Sequence, residues 1–340
     1  MLQKSRVAPC AQRNVLPSRG VKVYNRDMKI FTTKIKATVP ILFYIALFAI
    51  ALIAIIVGSI KDIDISHKLV SITNPLGMFV ETFGIILGYS MVTIGSVTFF
   101  AGAFFREERW WKILGALVLT VGVSLAVFFL TEQLGRFNAD EVYYGYRNSN
   151  KVAFIIAAAS QVVVGIITFF IVDKAKSEAC IRVGLIIVLA MATQVLLLYF
   201  LKKIGCRPRY RFLIDPELNT AGYEFVNWWQ FGIGKRPSGE YFKSWPSGHT
   251  ATAACVILIG YLPNVLRWRF RFDKYVLFIV GALYTIFVAF ARILIGAHFL
   301  TDVAWGALIG TLCCFLWSFF IERLFLPKEE QAPEKKEEAK

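Results

Sequence analysis

The sequence predicts an all-α integral membrane protein with about eight transmembrane helices. Of its 340 residues, 57% are hydrophobic and only 18% charged, a balance that soluble domains do not show. Apolar runs of about twenty residues recur along the chain, each long enough to cross a bilayer as a helix. The runs are continuous rather than alternating. Unpaired backbone groups are costly in lipid, so continuous runs call for helices and exclude a barrel.

The formal charge of +15 would suggest a nucleic-acid partner in a soluble chain. Here the basic residues gather between apolar runs, where they set topology or meet anionic lipid, so no nucleic-acid partner is expected. The six cysteines, Cys10, Cys180, Cys206, Cys255, Cys313 and Cys314, contain no CxxC pair. They imply neither a disulfide framework nor a zinc site.

Residues 1–36 carry nine Lys or Arg against the single acid Asp27 and read as a basic cytoplasmic tail. Met28-Lys29 offers a second possible start. The run Thr38 to Ile60 exceeds a signal-peptide core and lacks a cleavage pattern, so it is expected to stay as a span. Further spans are expected at 80–105, 111–133, 152–173, 181–201, 248–266, 275–293 and 299–322. Eight spans put both termini on one side. The basic connections 106–112, 174–182 and 267–274 then fall on that side, which makes it cytoplasmic, most simply at the plasma membrane. Loops 61–79, 134–151, 202–247 and 294–298 face outward. The third is itself basic and carries Tyr223, Trp228, Trp229, Tyr241 and Trp245, as expected of a cap at headgroup level. The charged tail 323–340 has no apolar periodicity and is expected to be disordered.

Two of the three histidines, His249 and His298, sit where polar loops meet apolar runs. His298 and Asp302 are spaced i, i+4 at a helix start, which places them on one face, about 5–6 Å apart at Cβ. Asp302 could fix the tautomer of His298 and leave its other nitrogen as a nucleophile; a purely structural hydrogen bond is the bland reading of the same spacing. Arg292 closes the preceding span. A charge carried into hydrocarbon costs up to about 2.5–3.5 kcal/mol, so such clusters normally serve a function. Ser247-Gly248-His249 opens a helix, whose free N–H groups suit an anion. Gly248 permits close approach, Ser247 adds a hydroxyl, and His249 a second imidazole. Lys202 and Arg209 end the fifth span with two cations that suit phosphate oxygens, or that merely snorkel to lipid phosphates. His67, beside Asp62 and Asp64, is expected to be solvated, and Lys235-Arg236-Pro237-Ser238-Gly239-Glu240 to be a simple turn.

Together these pieces resemble the type 2 phosphatidic acid phosphatase (PAP2) superfamily. Its signature appears here as Lys202, six residues, Arg209-Tyr210; then Pro246-Ser247-Gly248-His249; then Ala291-Arg292, five residues, His298, three residues, Asp302. Tyr210 and Ala291 replace the usual proline and serine, and neither change removes a titrating group. The resemblance implies a six-helix catalytic core over 111–322, with 37–110 as two additional spans. It implies a lipid phosphate or diphosphate phosphatase working at the outer face without metal or cofactor. The substrate would be of the phosphatidic acid, phosphatidylglycerol phosphate or polyprenyl diphosphate type. His298 would be the nucleophile, forming a phosphohistidine, and His249 the acid and base, with Asp302 supporting His298. Lys202, Arg209, Ser247, Gly248 and Arg292 would bind the phosphoryl oxygens. Phosphotransfer to an alcohol, and a non-catalytic lipid carrier or scaffold of the same fold, are the rival readings.

Overall fold

Apolar composition turns into helices throughout the computed structural model, which describes residues 40–135, 149–237, 239–267 and 274–324. The expected basic tail 1–36, most of the loop 134–151, residues 268–273 of the third basic connection and most of the C-terminal tail lie outside the described residues. The helices are α1 (Ile41–Leu69), α2 (Pro75–Phe83), α3 (Ile86–Phe104), α4 (Arg109–Leu134) and α5 (Asn150–Ile171). They continue as α6 (Ser177–Gly205), the short α7 (Tyr210–Leu213), α8 (Gly248–Ala254), α9 (Lys274–Leu294) and α10 (Leu300–Leu324). The described residues from Leu42 onward form one compact unit.

Seven described helices are long and apolar enough to cross a membrane, with α2 and α3 acting as one span, Pro75–Phe104. The protein is therefore an all-α membrane protein. The eighth expected run, 248–266, is built differently: α8 passes directly into a 3-10 helix, Cys255–Asn264. A 3-10 helix rises about 2.0 Å per residue against about 1.5 Å for an α-helix, so these residues reach roughly 30 Å, about the thickness of the hydrocarbon core.

Spans begin and end where polar chemistry allows. Asn74 caps α2 by accepting from the Gly77 amide at 3.0 Å, and Ser149 caps α5 by accepting from Val152 N at 3.3 Å. α1 runs on to Leu69, so most of the expected loop 61–79 is helix, and Asp62 lies on it as a buried residue. Inside the bundle, α3 packs on α4 and α6, and α8 packs on α9 and α10. Gln161 ties α5 to α3: its Oε1 accepts from Thr93 at 2.7 Å, and its Nε2 donates to Ser90 at 3.2 Å. Satisfied polar pairs of this kind hold helices together where lipid gives no hydrophobic drive.

Candidate active site

Five helix ends meet at one side of the bundle: the C-terminal ends of α1, α6 and α9 and the N-terminal ends of α8 and α10. Their packing is set by small residues. A Cβ on Gly306 would lie 2.5 Å from the Ser247 carbonyl oxygen, and one on Gly310 would lie 2.4 Å from that of Ala251. This Gly-x-x-x-Gly stripe on α10 lets its backbone touch α8 one turn at a time. Ser247 N in turn donates to Asp302 O at 2.9 Å, which fixes the start of α8 against the start of α10.

His298 is buried in the turn between α9 and α10, and its Nδ1 lies 2.6 Å from the Ser244 carbonyl oxygen. A carbonyl can only accept, so Nδ1 carries the proton. Burial, reinforced by Arg292, Arg209, Lys202 and His249, pushes the His298 pKa well below its ordinary value. The ring is therefore neutral at pH 7, and Nε2 presents a lone pair.

The direct His298–Asp302 pair expected from the spacing does not form. Asp302 sits in the first turn of α10 and folds back to accept the Phe299 amide at 2.9 Å, the geometry of a capping box. The same Oδ2 accepts from Ser244 Oγ at 2.5 Å, and Oδ1 accepts from Arg207 at 2.6 Å. Asp302 thus reaches His298 only through Ser244, whose hydroxyl it holds and whose carbonyl holds the imidazole.

Behind Asp302 lies a buried charge cluster. Arg207, 1% exposed, bridges Asp302 and Asp62 of α1, the latter at 2.9 Å. It also donates to Thr301 Oγ1 at 2.8 Å and lies over the Phe299 ring. Asp62 further accepts from the Thr301 amide at 3.0 Å and from its hydroxyl. So the Arg207-Pro208 pair, which looks like the signature's arginine–proline, belongs to the support and not to the cavity.

In front lies a cavity of ≈ 460 Å³, lined at one end by Lys202, Arg209, Arg211, Lys243 and Arg292 together with both histidines. Glu81 of α2 faces two of these cations, Arg211 at 2.9 Å and Arg292 at 3.2 Å, and its carbonyl oxygen lies 3.2 Å from His249 Nε2. Arg209 pairs with Glu240 at 3.3 Å, and Lys202 donates to the Lys243 carbonyl at 2.7 Å. Burial, then the neighbouring Arg211, lowers the Arg209 pKa to about 10, which leaves it charged at neutral pH. The other end of the cavity is apolar, with Ile85, Tyr89, Phe129 and Leu198 in its wall. Phe128 and Tyr199 line it too and are 57% and 55% exposed, so it opens sideways on the outer surface of α4 and α6.

Of the eight residues expected from the motifs, six line this cavity: Lys202, Arg209, Gly248, His249, Arg292 and His298. Asp302 and Ser247 stand behind it. Ser247 is fully buried as the cap of α8, where its Oγ accepts from Thr250 N and Thr250 Oγ1. Among the described residues no group of three His, Cys, Asp or Glu side chains could hold a metal.

Sequence reasoning missed Asp62, Glu81, Arg207, Arg211, Ser244 and Glu240. The signal for two of them was present: a carboxylate inside an apolar span, as at Glu81, or within four residues of one's end, as at Asp62, needs a buried cation. His67 is also not merely solvated, since its Nδ1 lies 2.8 Å from the Tyr210 hydroxyl at the position where proline was expected. In the supposed turn, Arg236 donates to Cys206 O at 2.8 Å, tying the cap to the end of α6; Ser238 lies outside the described residues. The cap's aromatics mostly pack on one another. Trp245 is buried against Trp228 and Trp305, and of the five named only Trp229 is largely exposed.

Comparison with known proteins adds to this geometry. Residues 183–325 match the model of the PAP2 superfamily. Phosphatidylglycerophosphatase B of Bacillus subtilis (strain 168) is 36% identical over 83 residues, which are 24% of this chain. The match spans 40% of that curated relative's length. No solved structure matches.

Proposed function

We propose that the chain is a lipid phosphate phosphatase that works without metal through a phosphohistidine on His298, a reading supported by the match of residues 183–325 to the PAP2 superfamily. The observation that carries this reading is a cavity in which two histidines and five cations stand at one end and an apolar, laterally open wall at the other. That shape suits a substrate with an anionic head and a tail that stays in lipid.

In the first step the Nε2 lone pair of His298 attacks phosphorus. The bond from phosphorus to the lipid oxygen breaks, and the leaving oxygen takes a proton from His249. The imidazole becomes cationic, a change that the Ser244 carbonyl and, behind it, Asp302 favour. In the second step His249 takes a proton from water, the water oxygen attacks phosphorus, and the phosphorus–nitrogen bond breaks to release inorganic phosphate. Lys202, Arg209, Arg292 and the Gly248 amide hold the charge that develops on the phosphoryl oxygens, and Arg211 joins them. Ser247 acts through the cap of α8, and Asp302 through Ser244.

The described basic connections, Arg106 and Arg109 before α4 and Lys174 and Lys176 before α6, lie at the end of the bundle opposite the cavity. The bias of basic loops toward the cytoplasm supports a site on the outer face of the plasma membrane, with both termini inside. Among the candidate substrates, the name of the Bacillus relative supports phosphatidylglycerol phosphate.

The test is phosphate release from phosphatidic acid, phosphatidylglycerol phosphate and undecaprenyl diphosphate, with and without EDTA. Release is expected to survive EDTA and to fall by about 10⁴-fold or more in His298→Ala. Undiminished release by that variant, or a strict need for added metal, would sink the mechanism. Transfer of the phosphoryl group to an added alcohol in place of water would favour a phosphotransferase.

A further inference from the structure

We infer that Gln194 forms a neutral subsite inside the cavity that takes the polar group, hydroxyl or acyl linkage, carried by the backbone of an acylated lipid phosphate. The inference rests on the lipid-phosphate reading of the same cavity and narrows it.

Gln194 lines the cavity from α6 and is 0% exposed. Its Nε2 reaches Thr252 Oγ1 at a long 3.5 Å, while its Oε1 has no hydrogen-bond partner. An unpaired buried amide oxygen is costly, and it is more isolated still inside a span. Gln161, the comparable glutamine on α5, has partners on both its oxygen and its nitrogen. The bundle can therefore satisfy a buried glutamine, and at Gln194, in the wall of the cavity, it leaves one side of the amide unpaired.

The depth of this side is informative. Thr252 lies four residues into α8 from Gly248, about 6 Å along the helix. A glycerol or sphingoid backbone carries its first hydroxyl or acyl linkage a few bonds from the phosphate, a comparable distance. A polyprenyl chain has only hydrocarbon there and would leave the amide unpaired. Thr252 can donate or accept, so the amide can turn over and offer the ligand either its oxygen or its nitrogen; a hydroxyl pairs with both.

The probe is a matched pair, 1-acyl-glycerol phosphate and its analogue lacking only the free hydroxyl, each bound to the full chain in nanodiscs. One net hydrogen bond predicts that the wild type binds the hydroxyl-bearing lipid about three- to tenfold tighter. Gln194→Met, which keeps the volume and removes the amide, is expected to erase that difference while still binding both lipids. Equal binding of the pair by the wild type, or discrimination that survives in Gln194→Met, would overturn the subsite. The wild-type comparison decides even if the variant does not fold. Discrimination without phosphate release from any lipid would uphold the subsite and count against the phosphatase reading alone.

Discussion

The PAP2-matched segment and the first two spans of the chain meet at the same helix ends but bring different chemistry. Residues 183–325 supply both histidines, Lys202 and all four arginines of the site, Arg207, Arg209, Arg211 and Arg292. The earlier helices supply carboxylates: Asp62 from α1, which meets Arg207, and Glu81 from α2, which meets Arg211 and Arg292. Crowded cations repel one another in a medium that screens poorly, and a buried carboxylate offsets that repulsion while fixing where each guanidinium points. The first two spans thus add counter-charge to that of Asp302 and Glu240 within the matched segment, and among the ion pairs described above they alone supply it to Arg211 and Arg292.

Replacing the bridge between the two halves is expected to have the largest effect. Arg207→Met leaves Asp62 and Asp302 buried and facing each other, and a lost buried partner costs about 3–5 kcal/mol. Thermal unfolding in detergent should show a large fall in Tm; an unchanged Tm would mean that the halves are not coupled through this residue. Asp62→Asn keeps the shape and most hydrogen bonds but removes the charge, so a loss of about 1–3 kcal/mol is expected. With it, kcat should fall roughly tenfold at nearly constant KM, because Asp62 acts on His298 through Arg207, Asp302 and Ser244 and touches no phosphate oxygen. A rise in KM alone would place Asp62 in substrate binding instead.

The pH profile tests the other half by itself. In the proposed mechanism His298 must be neutral to attack, and its depressed pKa keeps it neutral below the usual histidine range. The acid limb of kcat/KM should therefore lie below about 6.5, with activity retained through that pH on the way down. A limb at or above 6.5 would contradict a buried, cation-flanked imidazole. The smallest effect is expected at the cap. Trp229 is 47% exposed, so Trp229→Cys should leave turnover nearly unchanged, and an impermeant thiol reagent should label it in intact cells if the cap is outside. Native Cys206 cannot report this, being 3% exposed at the left-handed C-cap of α6.

Much of the candidate site was legible because its pieces are local. Lys202 to Arg209, Ser247 to His249 and Arg292 to Asp302 are each short, and each marks a helix end at which polar residues break an apolar run. What was not legible is which charge meets which. The i, i+4 spacing of His298 and Asp302 suggested a direct bond, yet the capping position of Asp302 and the pull of Arg207 turned its carboxylate elsewhere. The 3-10 stretch after α8 was equally hidden, since its composition is that of any apolar span.

The sequence by itself determined the apolar, helical character and the approximate course of the spans, and the identity of the histidines and cations at the helix ends. Those follow from transfer free energies and end signals that each stretch carries alone. Only the tertiary structure decided that Asp62 would meet Arg207 across 145 residues and Glu81 would meet Arg292 across 211. A buried charge takes the partner that packing brings within reach, and the approach of α10 to α8 at Gly306 and Gly310, with α1 and α2 meeting the same helix ends, is a property of the assembled bundle and of no single segment.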